Sequence, residues 1–497
     1  MPHRQEPETL AALDLGSNSF HMVVVHPDGG RFKVVDRMRE VVRLGAGLDA
    51  QQRLTPEASD RALRCLERFG QRIRHLPKDA VRAVGTNALR MARNGERFLR
   101  AAELALGHPI DVVSGYEEAR LIYLGVSHGL GDDANLRLVA DIGGGSTELI
   151  VGRRFEPQVM QSLHVGCVGL SQAFFSDGLI DVRRMHAAVI AARQEFEPVE
   201  EEIAATGWEV AVGASGTLLA INRLLQAQGW AQDGITLSGL HRLEAAMIAV
   251  GHVQRLGELG VSNDRAPVLP GGLAIALGLF EELGISRMRV SDSALREGLL
   301  YDLMGRINDE DVREQTVISL MQRFGVERAQ VARVAATCAH FLTQVGRRWL
   351  PADAESAKLL GWAASLHEIG HTISHSQYQK HGAYLLHHLD MPGFSRGDQN
   401  RLSNLVRAHR RKLPAAEFGE GVEAQMPLRF ALLLRLAVVL HRARGAMAPV
   451  EVTLKAEDHV LRLAFPRGWL AAHALTTADL EQEAEYLLSV GYKLKFK

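Results

Sequence analysis

The chain has 497 residues, 46% of them hydrophobic and 23% charged, with a net charge of −1, which is ordinary for a water-soluble globular protein of two to four domains. Its three cysteines, Cys65, Cys167 and Cys338, are widely spaced with no C-x-x-C; this argues against a disulfide framework or a cysteine-built zinc site and for a reducing compartment. The N-terminal "MPHRQEPETL" has no apolar signal core, and the longest apolar run near the end, "FALLLRLAVVL", has 11 residues and contains Arg435, far short of the roughly 20 needed to span a bilayer, so no transmembrane segment and a cytoplasmic location are expected.

In chain order, "ALDLG", "FHMVVV" and "RFKVVDRMREVVRLG" within 12–45 read as strands. Residues 56–76 carry helical apolar spacing at Ala62, Cys65, Leu66, Phe69 and Ile73. "VRAVGTNALRMA" reads as a strand entering a helix, with Thr86 as its N-cap. A helix over about 96–106 ends at Gly107, with Pro109 behind it. The short strand "IDVVSG" and the helix "EEARLIYLGVSHGL" follow, and the order is that of an α/β layout. The second half repeats it: strands at 137–165, helices through 169–206, then "WEVAVGASGTLLAINRLL", a strand that breaks at Gly213–Gly216 into a helix. From about 310 helical patterns dominate to about 445, and a strand-like tail, "EVTLKAEDHVLRLAF", comes after. The expected domains are 1–130, 131–305, 306–445 and 446–497.

Within this layout "LVADIGGGSTELIVG", 138–152, spends three consecutive glycines after an aspartate. That pattern is either a plain hairpin turn or a cradle of bare amide groups for an anion. "ALDLGSNSFHMVV" lays on it residue for residue: Asp14 falls on Asp141, Gly16 on Gly143 and Ser19 on Ser146, with the copies 127 residues apart. That is about one domain. Two related domains, each opening on strand, Asp-x-Gly turn and strand, would present two such turns across a cleft and grip a chain of phosphates from both sides.

The segments "ALDLGSNSFHMVVV", "AVGTNALR", "VVSGYEEARLIYLGV", "VADIGGGSTELIVG", "VGASGTLLAI" and "VLPGGLAIALGLF" resemble, in order, the motif set of the exopolyphosphatase/guanosine pentaphosphate phosphatase (Ppx/GppA) family. The match runs over roughly residues 10–305, and the tail resembles that of the longer bacterial members. The resemblance implies duplicated actin-like (ribonuclease H-like) α/β domains followed by an α-helical HD-like domain. It implies release of terminal phosphate from inorganic polyphosphate, or alternatively from the 5′ end of guanosine pentaphosphate (pppGpp). It also implies Mg2+, with K+ as an activator, and a homodimer. No nucleic-acid partner is expected.

Phosphoanhydride hydrolysis needs a positioned water, charge stabilisation and a metal. In "SGYEEAR", Ser114 and Glu117 fit a capping box, which engages Glu117 and leaves Glu118 as the catalytic carboxylate; Glu118 also falls on the family's catalytic glutamate. Asp141 and Glu148 suit magnesium, which takes one or two carboxylates plus water and phosphate oxygens, and they match the family's metal-site carboxylates. Glu148 aligns with His21, so the metal role is expected on one side only. Gly143, Gly144, Gly145 and Ser146, with Ser17 and Asn18 opposite, form the expected phosphate cradle. Thr86, Asn87 and Arg90 lie at a helix start, where anions are favoured, and Arg90 matches a family arginine near the phosphates. "VGASGTLL" resembles the adenosine-binding segment of the wider fold, although a tight strand–helix turn explains it as well.

From Arg306 onward there are 25 Lys+Arg against 20 Asp+Glu, while residues 1–305 hold 32 against 38. The cluster "RAHRRK" adds Arg407, Arg410, Arg411 and Lys412, a solvated helix face or a hold for a polyanion. "HEIGH" at 367–371 has the H-E-x-x-H form of zinc proteases, but Gly370 weakens the helix that motif needs. The stretch resembles an HD-type domain instead, with His340 as its first histidine and His367–Glu368 as its His–Asp pair. Glu368 and Val438 stand where aspartates are expected, so the domain reads as a structural or polyanion-holding descendant. A protein that binds these anions without turnover is the rival reading, and the presence of Glu118, Asp141 and Glu148 argues against it.

Overall fold

A computed structural model describes residues 7–28, 31–130, 134–307, 310–419, 422–444 and 452–497. The chain divides into two compact units, Met1–Asp311 and Val312–Lys497. Residue 305, the expected boundary, lies in the helix Leu295–Ile307, just before this division. The expected breaks after 130 and 445 lie outside the described residues.

The first unit holds two sheets of matching topology. In one, β1 (Leu10–Leu15), β2 (Ser19–Asp28), β3 (Arg31–Val41), β4 (Val81–Gly85) and β5 (Asp111–Val112) are ordered β3-β2-β1-β4-β5. In the other, β6 (Leu136–Ile142), β7 (Thr147–Arg153), β8 (Glu156–Leu163), β9 (Val210–Gly213), β10 (Ile235–Thr236) and β11 (Arg287–Val290) are ordered β10-β11-β9-β6-β7-β8. Each opens on an antiparallel meander whose first strand pairs parallel with the fourth. The internal repeat is thus a structural duplication, with β10 added as an antiparallel edge. Leu10, Ala12, Val23 and Val25 of one sheet, and Val139, Ile150 and Val212 of the other, are buried, as in strands covered on both faces.

Two helices lie between the sheets, Gly115–Leu130 and Leu295–Ile307, and their Ile122, Tyr123, Val126, Leu295, Leu299 and Leu303 join the strands in one core. They cross at backbone contact. A Cβ on Gly125 would fall 2.0 Å from the Ala294 carbonyl oxygen, and one on Gly298 would fall 1.8 Å from that of Leu121. Only glycine fits there, and the crossing sets how closely the two helices pack.

The second unit is helical, as its sequence pattern predicts, with helices Val312–Arg323, Arg328–Trp349, Ala354–Leu366, Tyr378–His388, Arg396–Ala408 and Val422–Leu440. The expected strand-like tail forms β12 (Thr453–Glu457) and β13 (Val460–Ala464). A helix, Ala474–Leu488, then leads to β14 (Lys493–Phe496), which completes a three-stranded sheet. The apolar run around Arg435 is the core of this unit, and no helix among the described residues is long and apolar enough to cross a membrane. Arg435 is fully buried and donates to both oxygens of Glu483 and to the carbonyls of Ala408 and Arg411.

Candidate active site

The two Asp-x-Gly turns face each other. The β1–β2 register pairs Asp14 with His21, and the β6–β7 register pairs Asp141 with Glu148. In each turn the first glycine is hemmed by the serine carbonyl that closes it: a Cβ on Gly16 would lie 3.0 Å from Ser19 O, and one on Gly143 would lie 3.0 Å from Ser146 O. None of Gly143, Gly144 and Gly145 has a left-handed φ; they are needed for space. A Cβ on Gly145 would sit 2.4 Å from Asn87 Oδ1, and one on Gly144 would sit 3.0 Å from Ser17 Cβ and 3.2 Å from Asn18 N. The structure therefore brings Ser17, Asn18, Asn87 and the glycine run together in the wall of one cavity of about 920 Å³, with Thr86, Ser146, Asp14, Asp141 and Glu118 also lining it. Thr86 precedes the helix Asn87–Met91 but makes no side-chain cap, contrary to the expected role.

Glu118 enters this wall from the first turn of its helix. Arg90 Nη1 donates to Glu118 Oε2 at 2.6 Å and to the Val113 carbonyl at 3.1 Å. The expected capping box is half formed: the Glu117 N–H donates to Ser114 Oγ at 3.1 Å, but the Glu117 carboxylate grips Arg120 through two 2.8 Å bonds. Glu117 is engaged as expected, by a different partner, and Glu118 alone of the pair lines the cavity.

Four acids share this region. Burial, then the charge of Glu118, pushes Asp14 and Asp141 up to about 7. Burial, then Glu118 and Asp141, pushes Glu148 well above the usual carboxylate range. Glu148 accepts from Ser162 Oγ at 2.9 Å, and Asp14 Oδ1 is buried with no hydrogen-bond partner. Crowded acids of this kind are relieved by a cation, and all-oxygen donors suit a hard one such as magnesium. No three acids or histidines among the described residues form a ready-made metal cage; magnesium asks for only one or two carboxylates, which Asp141 and its register partner Glu148 can supply. His21, opposite, is held at about 3 by burial and then by Arg296, whose Nη1 meets its Nδ1 at 3.1 Å. A neutral His21 is no substitute for a carboxylate.

Sequence reasoning passed over Asp14 as a site residue although the repeat set it on Asp141. It also missed the cavity's cations Arg39, Arg223, Arg265 and Arg296, for which no spacing signal exists. In "VGASGT", Ser215 caps the helix Gly216–Ala227, and a Cβ on Gly216 would come 2.3 Å from Arg265 Nη2. The turn lines the cavity as well as joining strand to helix.

In the second unit, Arg407, Arg410, Arg411 and Lys412 come together with Lys380 and His375 around a groove of about 790 Å³. Arg410 stacks on Tyr378 at 4.5 Å, and Arg411 has a left-handed φ of 62°. "HEIGH" does not lie on one helix: His367 caps the helix Ala354–Leu366, and Ile369–Thr372 is a 3₁₀ turn. His367 and Glu368 are buried and His409 stands beside His367, whereas His340 is exposed and meets Gln344. Glu368 is paired with Arg444.

Residues 23–307 match the model of the Ppx/GppA phosphatase family, and residues 312–484 match that of Ppx/GppA phosphatase, domain III. The chain is 41% identical over 486 residues to the guanosine-5′-triphosphate,3′-diphosphate pyrophosphatase of Vibrio vulnificus (strain YJ016), covering 97% of both chains. It is 39% identical to the protein of the same name from Vibrio cholerae serotype O1, covering 98% of both. Among solved structures it resembles an exopolyphosphatase from Cytophaga hutchinsonii, with 24% identity and a TM-score of 0.54 over 61% of this chain and 98% of that one.

Proposed function

Because the chain belongs to the Ppx/GppA phosphatase family, and is a hydrolase of phosphoric anhydrides, we propose that it removes the terminal 5′-phosphate of guanosine-5′-triphosphate,3′-diphosphate. The expected order of substrates, polyphosphate first, is thereby reversed. What carries the reading is likeness along nearly the whole chain to relatives that bear that activity in their names. The cavity supports it. Beyond the phosphate cradle it runs along Leu219, Ala220 and Leu224 to Leu259 and Val261, and Arg39, Arg223 and Arg265 line it too. A nucleoside needs such apolar room, and a second phosphate group needs such cations; a bare phosphate chain needs only the latter.

In this mechanism the 5′-phosphates lie between the turns at Ser17–Asn18 and Gly143–Ser146, on backbone N–H groups and the side chains of Thr86 and Asn87. Asp141 and Glu148 would hold magnesium, whose chemistry is to offset charge on the phosphoryl oxygens. Glu118 orients the attacking water and accepts its proton. Arg90, bonded to Glu118, keeps that carboxylate turned to the cleft, and lends positive charge as the bond to the leaving oxygen breaks. The join of Glu118, Asp141 and the cradle in one cavity favours turnover over binding alone.

The second reading is polyphosphate hydrolysis at the same site, favoured by the basic groove at Arg407, Arg410, Arg411 and Lys412. A homodimer activated by K+ in the cytoplasm completes the proposal; three unpaired, buried cysteines suit that compartment. The deciding experiment is kcat/KM for phosphate release from pppGpp and from long polyphosphate on one preparation. A higher value for polyphosphate restores the second reading.

A further inference from the structure

One buried charge network in the first unit is unaccounted for by the chemistry above. Arg120, on the helix that carries Glu118, bonds Glu117 through both oxygens and reaches Asp302 on the helix Leu295–Ile307, 182 residues away. Asp302 also takes Arg306 Nε at 2.9 Å. Arg82 of β4 acts on Asp302 electrostatically and pairs with Asp111 of β5, two residues before the Val113 carbonyl that holds Arg90. Glu117, Arg120, Asp302 and Arg82 are all buried.

Burying four charges is a poor way to gain stability, since apolar side chains of like volume usually serve as well or better. What such a network supplies is one geometry. Here both its ends adjoin the catalytic pair: Glu117 precedes Glu118, and Asp111 leads into the strand end that anchors Arg90. The glycine crossing at Gly125 and Gly298 removes the remaining freedom between the two helices, so Arg120 and Asp302 meet at a fixed register.

We propose that Asp302 is a positioning residue for hydrolysis, acting through Arg120 and Glu117 to set the direction of the Glu118 carboxylate. It touches neither substrate nor water. With Asp302 in place, the first turn of the Gly115–Leu130 helix is held from behind, and Glu118 has one orientation toward the cleft. Without its charge, Arg120 is drawn wholly to Glu117 and the turn is held from one side only. The proposal rests on Glu118 as the water-activating group.

The test is a double-mutant cycle on the full chain, with pppGpp as substrate and phosphate release as readout. Asp302→Asn keeps the shape and an acceptor oxygen while removing the charge. It should lower kcat about 10- to 100-fold, leave KM within about twofold, and shift the acidic limb of the kcat–pH profile. On a Glu118→Gln background the same change should cost less than threefold, because the group being positioned is gone. Equal losses on both backgrounds, or an unchanged kcat and pH limb in the single variant, would overturn the proposal. If Asp302→Asn does not fold, Glu117→Gln/Arg120→Met/Asp302→Leu replaces the network by neutral side chains; wild-type kcat in that variant overturns it equally. Wild-type turnover in Glu118→Gln alone would instead sink the assignment of the base, a separate outcome.

Discussion

Arg435→Met tests how the second unit is held together. The wild-type guanidinium makes two bonds to Glu483 and one each to the Ala408 and Arg411 carbonyls, all in the interior. Charge-assisted bonds contribute about 1.5–3 kcal/mol each, so a simple sum would reach roughly 6–12 kcal/mol. The loss should be smaller, about 3–5 kcal/mol, as for a broken buried pair, because Glu483 can take up a proton. Burial already raises its pKa while Arg435 opposes the rise. With Arg435 gone the pKa goes higher still. A carboxyl with a raised folded-state pKa gives stability at low pH that is lost as pH climbs through that value, so the variant's deficit should grow as pH rises above the ordinary carboxylate range. Arg435→Met/Glu483→Leu should be more stable than Arg435→Met, with the two carbonyls left without this donor setting the remaining deficit. The assay is calorimetric unfolding against pH, with hydrogen exchange over 396–440 to place the change in the second unit. A double variant no more stable than Arg435→Met, or a deficit independent of pH, would show that the stranded carboxylate is not the cause.

Glu118→Gln should lower kcat by about 10²–10⁴-fold with substrate affinity within a few-fold of wild type; near-normal turnover would place the base elsewhere. Asp141→Asn should raise the magnesium concentration for half-maximal rate, and an unchanged titration would leave Asp141 a turn-shaping residue. Metal-free protein should lose thermal stability as pH rises through about 7, where Asp14 and Asp141 ionise against each other and Glu118, and magnesium should abolish the slope; a flat metal-free profile would contradict it. Neutralising Arg407, Arg410, Arg411 and Lys412 should raise KM for long polyphosphate far more than for short chains and reduce its salt dependence. Equal losses on both would mark the cluster as a solvated face.

The meeting of the two turns was legible because its requirement is local: three glycines and two small polar residues are what a backbone approach at this distance permits. The duplication was legible for the same reason, since register carries it from Asp14–His21 to Asp141–Glu148. The Ser114–Glu117 spacing indicated that Glu117 was engaged but named the wrong partner, because Arg120 lies one turn on and offers a charge where the capping box offers an N–H. Nothing in the spacing could announce Asp302, 182 residues from its partner, or Arg265 against Gly216. The exposure of His340 was not legible either, since a histidine's place in a motif order does not say which side of its helix is buried; His409 stands beside His367.

The paired turns also bear on how a chain of phosphates is read. A linear anhydride has an end and an interior, and the enzyme has to tell one from the other. Two identical turns related by duplication would form a grip with no sense of direction, since a chain entering either way would meet the same contacts. The register position held by Glu148 in one copy and by His21 in the other breaks that parity: a buried carboxyl on one side, a neutral ring backed by an arginine on the other. Polarity along the chain would then be a property of this mismatch, and a change that makes the two positions alike would be expected to blur which phosphate is taken first.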